Sequence, residues 1–483
     1  MNENNTKKSV ISGLFWKFGE RLLTQGVAFG ISIVLARILA PEDYGTIALV
    51  NVFISLAAVF ISNGFATALI QKKDADATDF STMFFCSLAC SVLIYILLFL
   101  VAPWVAAFYD IPVLKNILRV YALQIPLGVY YSIQAAYVSR HMMFKMAFIT
   151  SVIASVLSGT VGIAMALAGM GVWALVAQSI AETVINTLIR TRLIPWRPER
   201  KFSAVSAKAM MKYGSRLLAA DLSGTFFNEL RSLIIGKLYT GADLAFYNKG
   251  HQIPHLLTGN LINVLRSVMF PALANHSDDL PKLKHIVRRC MRIMAYVILP
   301  CMAGLSAVMQ PLILLLFTEK WAATIPYGQI LSIGLCFSLL GTFSLQTMKA
   351  IGRSDVVLGL EIKKKPVYLL TIILGATHSV MGLAISMVVY DFYALIVNSW
   401  QMKKYIHYTM KEQLRDMLPA AFLSAVMAVC VWMIPSVGGL IATLLIKVLA
   451  GVLVYVLGSV LLRLESFQYL CNLIRSYASH KGD

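Results

Sequence analysis

The sequence predicts an all-α membrane protein of fourteen transmembrane helices: two six-helix lobes related by a parallel repeat, plus two extra helices at the C-terminal end. Three observations carry that expectation. Of 483 residues, 58% are hydrophobic and 13% charged, with a mean hydropathy of +0.74; a soluble chain of this size would lack the polar surface to cover itself. Apolar runs of about 20 residues follow one another, the length of a bilayer-crossing helix, without the alternation of a membrane barrel. Finally, the first part of the chain is repeated in the second.

Taken in order, the spans centre near Ala28, Leu56, Leu93, Ile125, Ser158, Ala181, Thr225, Leu261, Leu299, Gly334, Tyr368, Val389, Ala425 and Leu453. The first carries Glu20 and Arg21 and is followed by no cleavage-site pattern, so it reads as a retained helix rather than a signal peptide. The connections are short, which leaves no room for a folded soluble domain.

The repeat appears first at an offset of 195: the seven residues from Lys17 to Leu23 match those from Lys212 to Leu218, with five identical and Phe18 exchanged for Tyr213. Downstream the offset becomes 200, where Arg37 meets Lys237, Asp43 meets Asp243, and Asn63 meets Asn263. Spans one to six and seven to twelve are therefore expected to be two copies of one unit. Six is even, so the copies share an orientation, a pattern common in transporters. The expected organisation is residues 1–200 as the N-lobe, 201–407 as the C-lobe, and 408–483 as helices thirteen and fourteen with a tail. Lys447 is the one obvious deep charge of that last pair.

The formal charge of +19 invites a nucleic-acid reading, but topology explains it better. With the N-terminus inside, one side collects Lys7, Lys8, the Arg190-to-Lys212 and Lys282-to-Arg292 clusters, Lys403, Lys404 and Arg415. The other collects only a few, such as Arg37, Lys115, Lys237, Lys249 and Lys320. That asymmetry places both termini in the cytoplasm, and no nucleic-acid module is recognisable. The seven cysteines lack metal-ligand spacing and read as small buried hydrophobes. His251 and His255 stand at i, i+4 without a further ligand pattern. No phosphate-cradling glycine loop, catalytic set, metal or cofactor is expected, so the reading is of a non-enzyme.

Polar residues inside spans are expensive and mark either interhelical bonding or a route for a passenger. Span one carries Lys17, Glu20, Arg21, Thr24, Gln25 and Ser32. Span seven carries Arg216, Asp221, Asn228, Glu229 and Arg231, and span eight Asn260, Asn263 and Arg266. Span six has Gln178, Glu182 and Asn186, and its repeat partner, span twelve, has Asp391, Asn398 and Gln401. The repeat puts Arg21 and Arg216 at equivalent places on the first helix of each lobe.

The densest charge is Glu361-Ile362-Lys363-Lys364-Lys365-Pro366, with apolar chain on both sides. Each lysine near a lipid-facing helix centre costs ~3 kcal/mol, so three facing lipid would cost on the order of 9 kcal/mol. A helix lining a wet, protein-walled cavity is cheaper, and a cationic cavity suggests an anionic passenger. The alternative is a later start to the span, with the lysines snorkelling to the surface. Glu361 and Lys365, at i, i+4 with the acid first, have the favourable order for an ion pair. That leaves Lys364, pointing away from the pair, as the first passenger contact and Lys363 as the second. Pro366 predicts a kink.

The segment Leu35 to Gly45, the segment Tyr247 to Pro254, Phe270-Pro271-Ala272-Leu273, and Gly352 to Asp355 followed by Lys364-Lys365 resemble the Wzx-type polysaccharide flippases of the multidrug/oligosaccharidyl-lipid/polysaccharide superfamily. The resemblance spans nearly the whole chain. It implies a two-lobed, MATE-like fold around a central cavity. The implied activity is translocation of undecaprenyl-diphosphate-linked oligosaccharide across the bacterial cytoplasmic membrane for surface polysaccharide synthesis. Implied partners are that lipid-linked sugar, the membrane, and a polysaccharide polymerase with other assembly proteins. The family usually shows an apolar residue where this chain has Lys363, which favours Lys364 and Lys365. The expected diphosphate-binding set is Arg21, Arg216, Arg266, Lys364 and Lys365, with Glu20, Glu229, Glu361 and Asp391 balancing charge or carrying a coupling proton. The rival readings are a multidrug exporter of organic cations on the same scaffold, which calls for a net acidic cavity, and a non-transporting member of the assembly machine.

Overall fold

The computed structural model describes residues 3–61, 69, 75–274 and 279–479, with side chains throughout except at 3–18, 21, 61, 212–213, 215–217, 220, 260–272, 274 and 473–479. The described residues are helical, with no strand. The stretch expected as the N-lobe holds α1 (Glu3–Ile38), α2 (Pro41–Ile61), α3 (Ala77–Tyr109), α4 (Val113–Tyr121), α5 (Gln124–Arg140), α6 (Phe144–Leu167) and α7 (Val172–Leu193). The stretch expected as the C-lobe holds α8 (Ala204–Leu238), α9 (Gly241–Ala274), α10 (Leu280–Phe317), α11 (Thr324–Ala350), α12 (Ser354–Ala376) and α13 (Val380–Ile406). Then come α14 (Met410–Met433), α15 (Leu440–Leu461) and α16 (Glu465–Ser479).

Each of the fourteen expected centres falls in its own helix. Among the described residues, nine helices are long, apolar and poor enough in charge to cross a bilayer. The protein is a multi-pass membrane protein. Two helices stand outside the expectation. Short α4 buries Leu114, Ile117, Leu118 and Tyr121 and exposes Asn116, while Arg119 reaches back to the Phe99 carbonyl at 3.1 Å, so it is an amphipathic connector leading into α5. α16 packs Phe467 and Leu470 against the core.

The repeat is visible in the helix ends. α1 stops at Ile38 and α2 starts at Pro41; two hundred residues later α8 stops at Leu238 and α9 starts at Gly241. Asp43 accepts a bond from the Ala40 amide at 3.2 Å, and Asp243 one from the Thr240 amide at 3.1 Å. The same carboxylate thus covers the same orphan amide at both helix starts. Asn63 and the side chain of Asn263 lie outside the described residues.

The chain forms two compact units, Met1–Ala245 and Phe246–Asp483. In the first, α6 packs on α1 and α7, α5 on α3 and α7, and α8 on α2 and α3. The backbones approach closely there: a methyl group added at Gly45 would sit 1.9 Å from the Gly241 carbonyl oxygen. In the second, α10 is the hub, touching α11, α14 and α15, while α13 packs on α11 and α12. Its core gathers Met291, Met302, Leu339, Leu340, Met402 and Tyr408, all almost fully buried. α12 and α13 meet through facing glycines, where a methyl group at Gly375 would lie 2.9 Å from the Gly382 oxygen. Small residues allow this close helix approach inside a membrane.

Candidate functional site

The lysine run lies in the second unit, on α12. Along that helix the buried positions are Val357, Leu360, Lys364, Tyr368, Ile372 and Gly375, steps of three and four that make one face. The opposite face shows Leu358, Ile362, Leu370 and Ile373, each more than half exposed. Lys364 therefore sits in the middle of the packed stripe, 4% exposed, with Leu360 and Tyr368 a turn away on either side. Tyr368 in turn meets Tyr390 of α13 edge to face at 4.8 Å. Lys364 is thus buried within the packed face, while Lys363 is exposed and Lys365 half-buried.

The packed lysine also pairs with the carboxylate that the spacing offers to Lys365. Lys364 itself donates to Glu361 at 2.7 Å, at i, i+3. It does not point away from the carboxylate. Three-residue and four-residue steps both bring side chains together on a helix, and the buried stripe selects the lysine. The Glu361 side chain remains 46% exposed.

In the first unit, Glu20 of α1 accepts a hydrogen bond from Ser151 of α6 at 2.9 Å. The Ser151 hydroxyl also receives Nη2 of Arg190 at 3.4 Å. The Arg190 guanidinium lies over the Tyr131 ring, 4.1 Å from its centroid, and Arg190 is 2% exposed. Four helices, α1, α5, α6 and α7, thus converge on one acid–hydroxyl–cation line. Arg190 opens the basic cluster expected on the cytoplasmic side; α7 runs on to Leu193, so its side chain lies within the bundle while Arg192 and Arg197 are exposed. Lys249, counted among the outer-side charges, is likewise buried, with its ammonium 5.0 Å and 5.8 Å from the Phe317 and Trp321 ring centroids.

Glu229 of α8 accepts from Ser55 of α2 at 3.3 Å. Asp391 of α13 is buried, with its carboxylate beside α11: a methyl group at Gly334 would stand 3.3 Å from it. Two turns on, Asn398 donates to the Gly341 carbonyl at 3.3 Å. These bonds fit the interhelical locking expected of single polar residues. The side chains of Arg21, Arg216 and Arg266, on α1, α8 and α9, lie outside the described residues. The seven cysteines are free thiols, and the described residues hold no cluster of three metal-ligating side chains.

A second feature of the second unit is an apolar groove of about 400 Å³ between α10, α14 and α15, bounded by Cys301, Leu305, Met427, Val431 and Val452, with Lys447 as its one charged wall.

Comparison with known proteins places these features in a family. Residues 34–326 match the family model described as polysaccharide biosynthesis protein. The lipopolysaccharide biosynthesis protein WzxC of Escherichia coli is 22% identical over 76% of this chain and 75% of its own. The succinoglycan biosynthesis transport protein ExoT of Rhizobium meliloti is 21% identical over 72% of this chain and 71% of its own. In fold, the chain resembles the lipid II flippase MurJ in an inward closed conformation, with a TM-score of 0.73 at 16% identity over 94% of this chain and 99% of that one. It also resembles an inward-facing multidrug resistance MATE transporter of the MOP superfamily, with a TM-score of 0.61 at 17% identity over 80% and 94%. With a family match across more than half its length, on an all-helical fold shared with flippases and multidrug transporters, this chain belongs to the polysaccharide biosynthesis protein family of membrane proteins.

Proposed function

We propose that the protein is a flippase that moves undecaprenyl-diphosphate-linked oligosaccharide from the inner to the outer leaflet of the bacterial cytoplasmic membrane, with both termini in the cytoplasm. The observation that carries this reading is the burial of Lys364 in the packed face of a helix whose other face is apolar and exposed. A membrane protein keeps a cation there, at a cost of ~3 kcal/mol on insertion scales, when the charge has a use. A diphosphate crossing a low-dielectric slab must have its water and counter-ions replaced, and fixed cations do this with charge-assisted bonds. Lys364, Lys365, Arg21, Arg216 and Arg266 are the proposed anion-holding set. Arg190 joins them as a cation kept in place by Ser151 and Tyr131. Glu20, Glu229, Glu361 and Asp391 balance these charges or carry a coupling ion. The apolar groove between α10, α14 and α15 suits an apolar chain. Alternating access by rocking of the two repeat lobes would carry the headgroup across. A polysaccharide polymerase would then take the product.

The test is a strain lacking the protein. Inner-leaflet accumulation of the polyprenyl-diphosphate glycan, relieved by the wild-type gene, is expected. Normal surface polysaccharide without any build-up, together with new sensitivity to cationic dyes, would instead support the multidrug reading.

A further inference from the structure

Where α10 and α14 begin and α15 ends, the second unit carries a cluster of arginines that the transport reading does not use. Its floor is saturated. Asp416 receives Arg288 through two bonds, at 2.8 and 2.9 Å, Arg292 at 3.0 Å, and the Tyr408 hydroxyl at 2.8 Å. Glu412 takes Lys284 at 2.8 Å, and Glu465 takes Arg292. The acids of the cluster are thus already partnered.

The rim is different. Arg415 and Arg463 have no carboxylate partner among the described residues, and together with Arg288 and Arg292 they bound a cavity of about 420 Å³. Beside it, Arg289 stacks on the Tyr469 ring at 3.6 Å and helps to bound a second cavity of about 380 Å³. Asp416 and Glu465 also line the 420 Å³ cavity, but four guanidinium groups face these two acids, which Arg288 and Arg292 already engage; the surplus suits an anion with several acceptor oxygens.

The neighbours of the rim arginines say which anion. Leu414 and Leu418 flank Arg415 at 50% and 59% exposure, and Leu461 and Leu462 precede Arg463 at 81% and 52%. Such leucines in a spanning protein face acyl chains, so the arginines stand at the level where hydrocarbon gives way to headgroups. A free anion would meet the arginines but leave the leucines unused. A lipid phosphate meets both.

We propose that the cavity rimmed by Arg415 and Arg463 is a binding site for the phosphate of an anionic membrane lipid, separate from the passenger route. α16 closes its side, held to α10 through Arg292–Glu465 and Arg289–Tyr469. A lipid seated there ties α10, α14, α15 and α16 to one leaflet.

The experiment uses the full-length protein reconstituted into bilayers of mixed phosphatidylglycerol and phosphatidylcholine, with retained lipid counted by native mass spectrometry. The wild type is expected to retain phosphatidylglycerol in preference. Arg415→Gln/Arg463→Gln should lose that preference by about 25-fold, at about five-fold per arginine. The control Lys403→Gln/Lys404→Gln removes equal charge outside both cavities and should keep it. Should the double variant not elute as a single folded species, the two single variants report the same quantity, since each side chain is exposed and outside the ion-pair floor. Equal retention of both lipids by the wild type, or an unchanged preference in the variant, overturns the proposal. Displacement by inorganic phosphate alone reassigns the cavity to a free anion and overturns the lipid.

Discussion

Replacing Lys364 with methionine separates a transport role from a packing role. Methionine matches the stem of lysine and continues the apolar stripe between Leu360 and Tyr368, so the face of α12 stays filled. What is lost is one ammonium and its bond to Glu361 at 2.7 Å. The Glu361 side chain is 46% exposed, so it is not buried when its partner goes, and the desolvation cost of the buried lysine is removed with its charge. The stability change should therefore be small and of either sign, within about 1–2 kcal/mol. Transport should respond far more. A hydrogen bond to a charged group is worth about 1.5–3 kcal/mol, so losing one lysine–phosphate contact should slow the flipping of dilute substrate by about 10- to 150-fold. The assay is flipping of a fluorescent short-chain polyprenyl-diphosphate sugar in proteoliposomes, with the thermal midpoint of the same preparation measured in parallel. Lys364→Arg, which retains the charge, should keep most of the rate. Wild-type flipping by the methionine variant would falsify the role of Lys364 as an anion contact. A large loss of thermal stability with normal flipping per folded molecule would make the pair structural.

Arg190→Ala should lower thermal stability by roughly 1–3 kcal/mol, since a cation–ring contact and a buried guanidinium are lost together; a midpoint equal to wild type would show that Tyr131 and Ser151 do not hold it. Gly45→Ala should reduce stability by roughly 1–3 kcal/mol, because the new methyl group meets backbone at Gly241 and cannot be relieved by a side-chain rotation; unaltered melting in detergent would refute that close approach. Asp416→Asn should cost roughly 2–4 kcal/mol by leaving Arg288 and Arg292 without their shared carboxylate, read as a lower midpoint and as weaker docking of α14 in hydrogen exchange.

The fold was legible because two signals act along the whole chain. Apolar runs of bilayer length mark the helices, and the Asp43/Asp243 match located two equivalent helix starts before their caps were visible. α4 escaped notice because nine amphipathic residues merge with the apolar run that follows them. That a lysine of the run would leave the lipid-exposed face follows from the cost of exposure, but which one does not: spacing lets both Lys364 and Lys365 reach Glu361, and only the packed face singles out Lys364 for burial. Arg190 was hidden for a different reason. Its contacts with Ser151 and Tyr131 are 39 and 59 residues away in sequence, and nothing local distinguishes it from the surface arginines that follow it.

The placement of α8 has a consequence for how the chain divides. By its sequence match to α1 it is expected to open the second lobe, yet it packs on α2 and α3 in the first unit, where Leu49 fills the space left by Gly236. Two genes cut at the repeat boundary near residue 200 would make a first fragment missing a wall and a second fragment carrying a stray helix. A cut in the turn at Tyr239-Thr240 would leave α8 with the neighbours it already has. α8 thus belongs, by its packing, with the helices that precede it in the chain.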